Sequence, residues 1–228
     1  MGYTTVLFDL DHTLLDSDTS ERLAYESTML AAGVGDPATH FPLYRAINRS
    51  MWAEVEAGRM HPEEVRVRRF ERFNGEAGID ADPGPMAEHY VDGLGAFGEL
   101  YPGAMSMLVQ VGELATLGLL TNGISQVQRT RIARLGLEDL FSAIVVSSEV
   151  GVAKPAPEIF DIVLDGLGNP PRDSVVMVGD SLSSDVAGAN ASGIDSCWYN
   201  PDGLPNHSSS IPVHVTAEFG SIIDLIGG

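Results

Sequence analysis

The sequence YTTVLFDLDHT at residues 3–13 places two acidic side chains, Asp9 and Asp11, directly after an apolar run. The run at residues 3–8 predicts a buried β-strand. Because side chains alternate between the two faces of a strand, residues two apart emerge together where the strand opens into a loop. Carboxylates this close repel each other, and a divalent cation would relieve the repulsion. The segment therefore predicts a metal site of the kind used in phosphoryl transfer, although a solvated loop is the alternative for an isolated D-x-D pair.

Composition indicates a globular protein of the reducing cytoplasm. The chain has 228 residues, of which 44% are hydrophobic, and it contains no apolar run of roughly 20 residues that could cross a membrane. The N-terminus enters the first strand without a basic leader, so we expect no secretory signal. A single cysteine, Cys197, excludes an internal disulfide and favours the cytoplasm.

The net charge of the chain restricts the kinds of partner that it can bind. Thirteen basic and 32 acidic residues give a formal net charge of −19, which would repel nucleic-acid polymers and anionic membranes. A small phosphorylated substrate would need a local positive centre. Lys154 is the only lysine in a chain whose other basic residues are arginines. An ammonium is a compact point charge that arginine does not replace in a tight anion site, so we expect Lys154 to serve one, unless it is there by chance.

The spacing of apolar residues divides the chain into two regions with different predicted secondary structure. Residues 16–98 predict helices at 19–32, 42–57, 62–74 and 84–97, with breaks near glycine and proline. From residue 99 onward, helices and strands alternate, with helices at 103–113, 124–135, 156–166 and 183–192, strands at 115–120, 143–148, 174–178, 194–199 and 213–216, and a last helix. Alternation of this kind predicts a doubly wound, Rossmann-like parallel sheet. We therefore predict an α/β core of residues 1–15 and 99–228, with an inserted helical cap at residues 16–98.

Polar residues follow successive predicted strands. Ligands of open parallel sheets bind outside the carboxyl ends of the strands, so these residues are expected at one edge. The hydroxyl of Thr121 and nearby backbone amides could hold phosphate oxygens there. Asp180 would emerge near Asp9, and Asp185 would lie one turn into the following helix. The full set comprises Asp9 with Asp11, Thr121 with Asn122, Lys154, and Asp180 with Asp185.

Those segments resemble the four motifs of the haloacid dehalogenase-like (HAD) hydrolases. The resemblance implies that Asp9 is the nucleophile and Asp11 the general acid and base. It further implies phosphate binding by Thr121, Asn122 and Lys154, and Mg²⁺ held by Asp9, the backbone carbonyl of Asp11 and Asp180, with Asp185 acting through water or as a further ligand. His12 stands where the superfamily usually has glycine, and we interpret it as a loop residue near the entrance.

The predicted cap suggests the substrate. In this superfamily a helical cap goes with small soluble substrates. Segments 48–52, 58–71, 149–155 and 197–200 resemble the bacterial pyrimidine 5′-nucleotidases, which implies a nucleoside monophosphate. Asn48, Arg49 and Trp52 are the cap residues that we expect to influence specificity. Trp52 could stack on a base or pack inside the cap, and the arginine-rich run at residues 66–69 is interpreted as a solvated helix face.

Several alternatives share parts of this pattern. Phosphatases of acylneuraminate phosphate or phosphoglycolate, and sugar-phosphate mutases, have the same core motifs. A haloacid dehalogenase needs no acid at position 11, so Asp11 argues against it. A phospho-accepting receiver or a silent binding module is the non-enzyme alternative. We expect a monomer or a homodimer.

Overall fold

The computed structural model describes residues 2–228, which form a six-stranded sheet flanked by helices. The order across the sheet is β3-β2-β1-β4-β5-β6, and every neighbouring pair is parallel. This confirms the predicted α/β class with a doubly wound sheet. Strand order reverses beside β1, and ligands of such sheets bind at that switch point. The strands are β1 (Thr5–Phe8), β2 (Thr116–Thr121), β3 (Ala143–Val146), β4 (Val175–Gly179), β5 (Asp195–Tyr199) and β6 (His214–Thr216).

Ten α-helices occur among the described residues. Four of them lie within the predicted insertion at residues 16–98, and the other six accompany the strands of the sheet. The first group comprises α1 (Ser17–Ala31), α2 (Pro37–Glu56), α3 (Pro62–Ala77) and α4 (Pro83–Ala96), and the second comprises α5 (Ala104–Gly112), α6 (Ser125–Arg134), α7 (Ser147–Val150), α8 (Pro157–Gly166), α9 (Ala187–Ser192) and α10 (Phe219–Gly227). No helix within residues 2–228 combines the length and the apolar character that a membrane span requires.

Strand β1 is buried on both faces. Val6 and Phe8 belong to a hydrophobic cluster that includes residues of α5 and α10. Leu7 belongs to a second cluster, on the opposite face, with residues of α8 and α9. Such two-sided burial explains why the strand is a continuous apolar run rather than an alternating one.

The four helices of the insertion have a hydrophobic cluster of their own. Aromatic side chains from all four helices meet there, including Tyr25, Tyr44, Phe70 and Tyr90. Helix α4 also packs closely on α6, because a Cβ on Gly95 would lie 2.9 Å from the Thr130 side chain. A separate core fits our assignment of residues 16–98 as a cap, and that assignment remains a prediction.

Local signals fix the ends of these helices. Asp16 accepts a hydrogen bond from the Thr19 amide at 3.0 Å and so caps α1. His61 and Glu64 form a capping box at the start of α3. That helix ends at Gly78, whose φ of 67° is the left-handed conformation that glycine adopts most readily. The predicted breaks near Gly58 and Gly78 therefore have a structural cause.

Several boundaries differ from the sequence prediction, and three of the differences involve a proline or a change in the type of element. Helix α2 begins at Pro37 rather than at residue 42, since Pro42 lies near its exposed start, where water can satisfy the carbonyl that loses a partner. Strand β3 ends at Val146 and a short helix, α7, replaces its predicted last residues. A π-helical turn over Leu182–Val186 precedes α9, and such wide turns occur frequently at functional sites.

Candidate active site

Three carboxylates meet at the carboxyl ends of β1 and β4. Asp9 follows β1, Asp180 follows β4, and Asp185 lies in the π-helical turn before α9. One carboxylate oxygen from each of these residues lies within 4.8 Å of the others. The ammonium of Lys154 approaches the cluster, at 2.6 Å from Asp9 and 2.7 Å from Asp185. The structure thus brings together side chains that are far apart in the sequence.

Short-range contacts hold this cluster in place. The Thr13 hydroxyl lies 3.4 Å from an Asp9 oxygen and 3.3 Å from an Asp180 oxygen, and it accepts the Asp180 amide hydrogen at 3.0 Å. The Ser181 amide donates to Asp185 at 3.0 Å. A Cβ on Gly179 would collide with the Asp185 carboxylate, so the close approach requires glycine at that position.

Burial and mutual repulsion shift the pKa values of these carboxylates. Burial raises the pKa of Asp9 well above its usual value despite the opposing effect of Lys154. Burial, followed by the charge of Asp185, raises the pKa of Asp180 to about 7. Burial alone would lower the pKa of Lys154, but Asp185 and Asp9 raise it above its usual value. One ammonium does not neutralise three carboxylates, and their hard oxygen donors suit a divalent cation such as Mg²⁺.

Asp11 has different surroundings. Its carboxylate accepts hydrogen bonds from Ser17 and Gln128, each at 2.6 Å, and from Arg131 at 2.7 Å. Burial raises the pKa of Asp11, but Arg131 and the two hydrogen bonds outweigh it, so the pKa lies below its usual value. The two acids of the D-x-D pair are therefore in unlike environments: in the absence of a cation, Asp9 is the more readily protonated of the two and Asp11 the more readily ionised.

The predicted phosphate-binding residues are connected to these acids. Thr121 is fully buried, and its hydroxyl accepts a hydrogen bond from Gln128 at 2.7 Å. The Asn122 side chain makes two hydrogen bonds, each of 2.9 Å, with the backbone of Lys154. Asn122 therefore holds the loop that carries Lys154, and both Asn122 and Gly123 line the cavity above the acids.

A cavity of about 440 Å³ lies between the sheet edge and the inserted helices. All three predicted cap residues, Asn48, Arg49 and Trp52, line it. Trp52 also packs against the hydrophobic cluster of the inserted helices, so both of the roles considered for it are compatible with its position. The volume lies within the range of small-molecule sites.

His12 also lines this cavity, and it is exposed. Its φ of 61° lies in the left-handed region that favours glycine. This backbone conformation explains why a glycine is usual at the corresponding position of the superfamily that the sequence resembles. We find no hydrogen bond from its ring within residues 2–228, and His12 remains a loop residue near the entrance in our interpretation.

One interpretation of the arginine-rich run is wrong. Arg69 is 1% exposed and lines the cavity instead of facing solvent. Its guanidinium stacks 4.8 Å from the centre of the Tyr90 ring and donates to Asn48 at 3.2 Å. The Arg69 Nη2 atom has no hydrogen-bond partner among the residues that the structure describes. Repeated arginines do not reveal which one faces inward.

Sequence reasoning also missed Gln128 and Arg131, which both contact Asp11. Both side chains are buried on α6, three residues apart and thus on one helix face. Ile124 and Val127, which are also buried, belong to the same stripe. Polar residues inside an otherwise apolar helical stripe were the available signal.

Comparison with known proteins places the chain among characterised sequences. A family profile described as a haloacid dehalogenase-like hydrolase matches residues 3–193. The chain is 35% identical to the pyrimidine 5′-nucleotidase YjjG of Escherichia coli (strain K12) over 200 residues, covering 88% of this chain and 87% of that protein. It is 31% identical to the pyrimidine 5′-nucleotidase PynA of Streptococcus pneumoniae, covering 99% and 96% of the two proteins.

A solved structure is similar over the whole length. It is the magnesium-bound form of the HAD-hydrolase YfnB from Bacillus subtilis, which superimposes with a TM-score of 0.91 at 30% sequence identity and full coverage of both chains. Interdomain movement is known for that protein. The similarity extends through the inserted helices as well as the sheet.

Proposed function

The chain belongs to the haloacid dehalogenase-like hydrolases, and we propose that it is a Mg²⁺-dependent phosphatase of nucleoside 5′-monophosphates, chiefly pyrimidine ones. The observation that carries this proposal is the cluster of Asp9, Asp180 and Asp185 around Lys154. It combines a nucleophilic carboxylate, oxygen donors for a cation, and a fixed positive charge at one strand edge. Phosphoryl transfer depends mainly on such positioning and charge stabilisation.

In the proposed first step, a carboxylate oxygen of Asp9 forms a bond to phosphorus while the bond from phosphorus to the ester oxygen breaks. Asp11 transfers its proton to that leaving oxygen, which departs as the nucleoside hydroxyl. Lys154 offsets negative charge on the phosphoryl oxygens within a buried site, where fixed charges act most strongly. Thr121 and the backbone at residues 122–123 bind the remaining oxygens.

In the proposed second step, Asp11 accepts a proton from water, and the water oxygen bonds to phosphorus. The bond between phosphorus and Asp9 then breaks, which releases inorganic phosphate and restores the Asp9 carboxylate and the protonated form of Asp11. Asp9, Asp180, Asp185 and the backbone carbonyl of Asp11 would hold Mg²⁺, which when bound supplies positive charge for phosphoryl oxygens. The chain's own residues perform every proton transfer.

The nucleotide assignment is supported by the relatives and by the cap side of the cavity. YjjG and PynA are both described as pyrimidine 5′-nucleotidases. Trp52 and Asn48 offer an aromatic face and an amide, which are the groups that proteins use to stack and to hydrogen-bond bases. Arg49 lines the same cavity and is exposed, and no carboxylate within residues 2–228 pairs with it. It is thus available to attract an anionic substrate.

The test is a panel of phosphate esters incubated with the purified protein and Mg²⁺. Release of inorganic phosphate would be measured for UMP, dUMP, dTMP, purine nucleotides and sugar phosphates. We expect the pyrimidine nucleotides to have the highest kcat/KM and EDTA to abolish turnover. A clear preference for sugar phosphates would contradict the nucleotide assignment, and isomerisation without phosphate release would indicate a mutase.

We further propose that the protein acts in the cytoplasm as a monomer or a homodimer. The single cysteine, Cys197, is buried and free, which suits a reducing compartment. A mass measured in solution by light scattering would distinguish the two oligomeric states, and a larger assembly would contradict this proposal.

A further inference from the structure

The guanidinium of Arg131 makes contacts in four directions from helix α6. It lies 2.7 Å from the Asp11 carboxylate and 3.2 Å from the Gln128 side-chain oxygen, to both of which it donates. It also donates to the Ser20 hydroxyl and to the Leu94 carbonyl, each at 2.8 Å. Arg131 is only 4% exposed. A buried guanidinium with this many geometrically defined partners has one available orientation.

Two of those partners belong to the inserted helices. Ser20 lies in the first turn of α1, and Leu94 lies in the last turn of α4. These are the places where the chain enters and leaves the predicted cap. The Ser20 hydroxyl also donates a hydrogen bond to the Leu94 carbonyl at 3.2 Å. The start of α1 and the end of α4 are therefore linked to each other as well as to Arg131. Arg131 thus links Asp11 to both ends of the insertion.

The remaining contacts of Asp11 complete this arrangement. Arg131 and Ser17 bind the same carboxylate oxygen, and Gln128 binds the other. Gln128 also donates to the Thr121 hydroxyl at 2.7 Å. Both oxygens of Asp11 are therefore held by groups whose positions depend on how α1 and α6 pack together.

We propose that Arg131 is a positioning residue that orients the Asp11 carboxylate and makes its orientation depend on the seating of α1 and α4 against α6. This inference rests on the proposed function, in which Asp11 protonates the leaving oxygen. Arg131 also lines the cavity, but its hydrogen bonds go to protein groups, and in this proposal it acts through Asp11 rather than on the substrate. A cap that is displaced from α6 loses the Ser20 and Leu94 contacts of Arg131, and the guanidinium that holds one oxygen of Asp11 is then no longer fixed.

A comparison of two leaving groups separates positioning from general structural support. Hydrolysis of a nucleoside monophosphate releases a poor alkoxide leaving group and needs the acid. Hydrolysis of 2,4-dinitrophenyl phosphate releases a stable phenolate and needs no acid for the first step. We expect Arg131→Met to lower kcat/KM for the nucleotide at least about tenfold more than for the dinitrophenyl ester.

Arg134→Met is the matched control. Arg134 lies one turn further along α6 and donates to the carbonyls of Gly95 and Gly98, but it does not contact Asp11. It therefore shares the contact with the insertion without the contact to the acid. We expect the ratio of the two kcat/KM values to stay at the wild-type level in this variant.

Two further variants extend the test, and the first of them keeps the inference falsifiable if Arg131→Met folds poorly. Ser20→Ala removes a single acceptor of Arg131 and should shift the ratio in the same direction by a smaller factor. In an Asp11→Asn background, Arg131→Met should change the ratio no further, because residues that act through one another are not additive. An equal fall for both esters, or the same additional loss in the Asp11→Asn background, would overturn the positioning role. A wild-type protein inactive on both esters would overturn the proposed function with it.

Discussion

The ammonium of Lys154 lies 2.6 Å from a carboxylate oxygen of Asp9, although 145 positions separate the two residues in the chain. The same ammonium lies 2.7 Å from Asp185. All three side chains are buried. Removing charges from water is costly, and it is tolerated where the partners are close and hydrogen-bonded. The contacts of Lys154 with Asp9 and Asp185 are therefore expected to affect both the stability of the core and the activity of the site.

Replacement of Lys154 is expected to affect both properties. Lys154→Met leaves Asp9 and Asp185 buried without their counter-charge, and loss of one partner from a buried pair typically costs about 3–5 kcal/mol. We expect a loss of that size in the free energy of unfolding, measured by urea denaturation without metal, together with loss of phosphatase activity. Mg²⁺ should recover part of the stability, because it supplies positive charge to the same carboxylates.

Arg59→Met is a suitable control for that measurement. Arg59 pairs with Glu54 on the surface of the inserted helices, where both side chains are exposed. Exposed pairs contribute little to stability, so this variant should unfold close to the wild-type midpoint. A Lys154→Met protein as stable as the control would show that the buried ion pair does not stabilise the metal-free core.

Replacement of Asp9, the proposed nucleophile, is expected to separate activity from folding. Asp9→Asn keeps the size of the side chain but removes the charged oxygen that would attack phosphorus, so kcat should fall by at least about a thousandfold. Circular dichroism should show an unchanged fold. Asp139→Asn removes an exposed carboxylate remote from the cavity and should retain full activity. Wild-type-like turnover by the Asp9 variant would rule out the covalent route.

Substitution of Gly179 is expected to disturb metal binding specifically. A methyl group at this position would collide with the Asp185 carboxylate, which must then move away from Asp9 and Asp180. We expect Gly179→Ala to reduce the increase in unfolding temperature that Mg²⁺ causes in the wild-type protein. Gly75→Ala, where an added Cβ meets no neighbouring atom, should retain the full increase. An unchanged Mg²⁺ response in Gly179→Ala would contradict the assignment of Asp185 to the metal site.

The sequence was informative about the sheet side of the candidate site because the candidate residues there stand at the ends of strands. A parallel sheet has all its carboxyl ends at one edge, so alternation of strands and helices was enough to predict that Asp9, Thr121, Lys154 and Asp180 would be neighbours. The predicted order of elements and the sheet class agree with the structure. The alternation of elements is visible in one sequence, whereas the strand order and the register were not predicted from it.

The residues that the inserted helices and α6 contribute to the cavity were harder to predict from the sequence. Arg69 follows two arginines of similar appearance, and only the packing of α2, α3 and α4 determines that it is the one turned inward. Arg131 and Gln128 gain their significance from Asp11, which is more than a hundred residues away. A contact between side chains that are far apart in the chain produces almost no recognisable pattern in the local sequence. The end of a strand, by contrast, can be predicted from the apolar run that forms the strand.

The last prediction concerns the nucleobase of the proposed substrate. If Trp52 stacks on the nucleobase, Trp52→Ala should raise KM for UMP by about tenfold, since stacking on an aromatic side chain contributes about 1–3 kcal/mol per base. KM for a small ester without a base, such as glycerol phosphate, should change much less, because the phosphate contacts at Lys154 are unaffected. Trp52→Phe keeps an aromatic face and should restore much of the UMP affinity. Equal increases for both esters would instead mean that Trp52 acts through packing of the inserted helices, against which its side chain also lies.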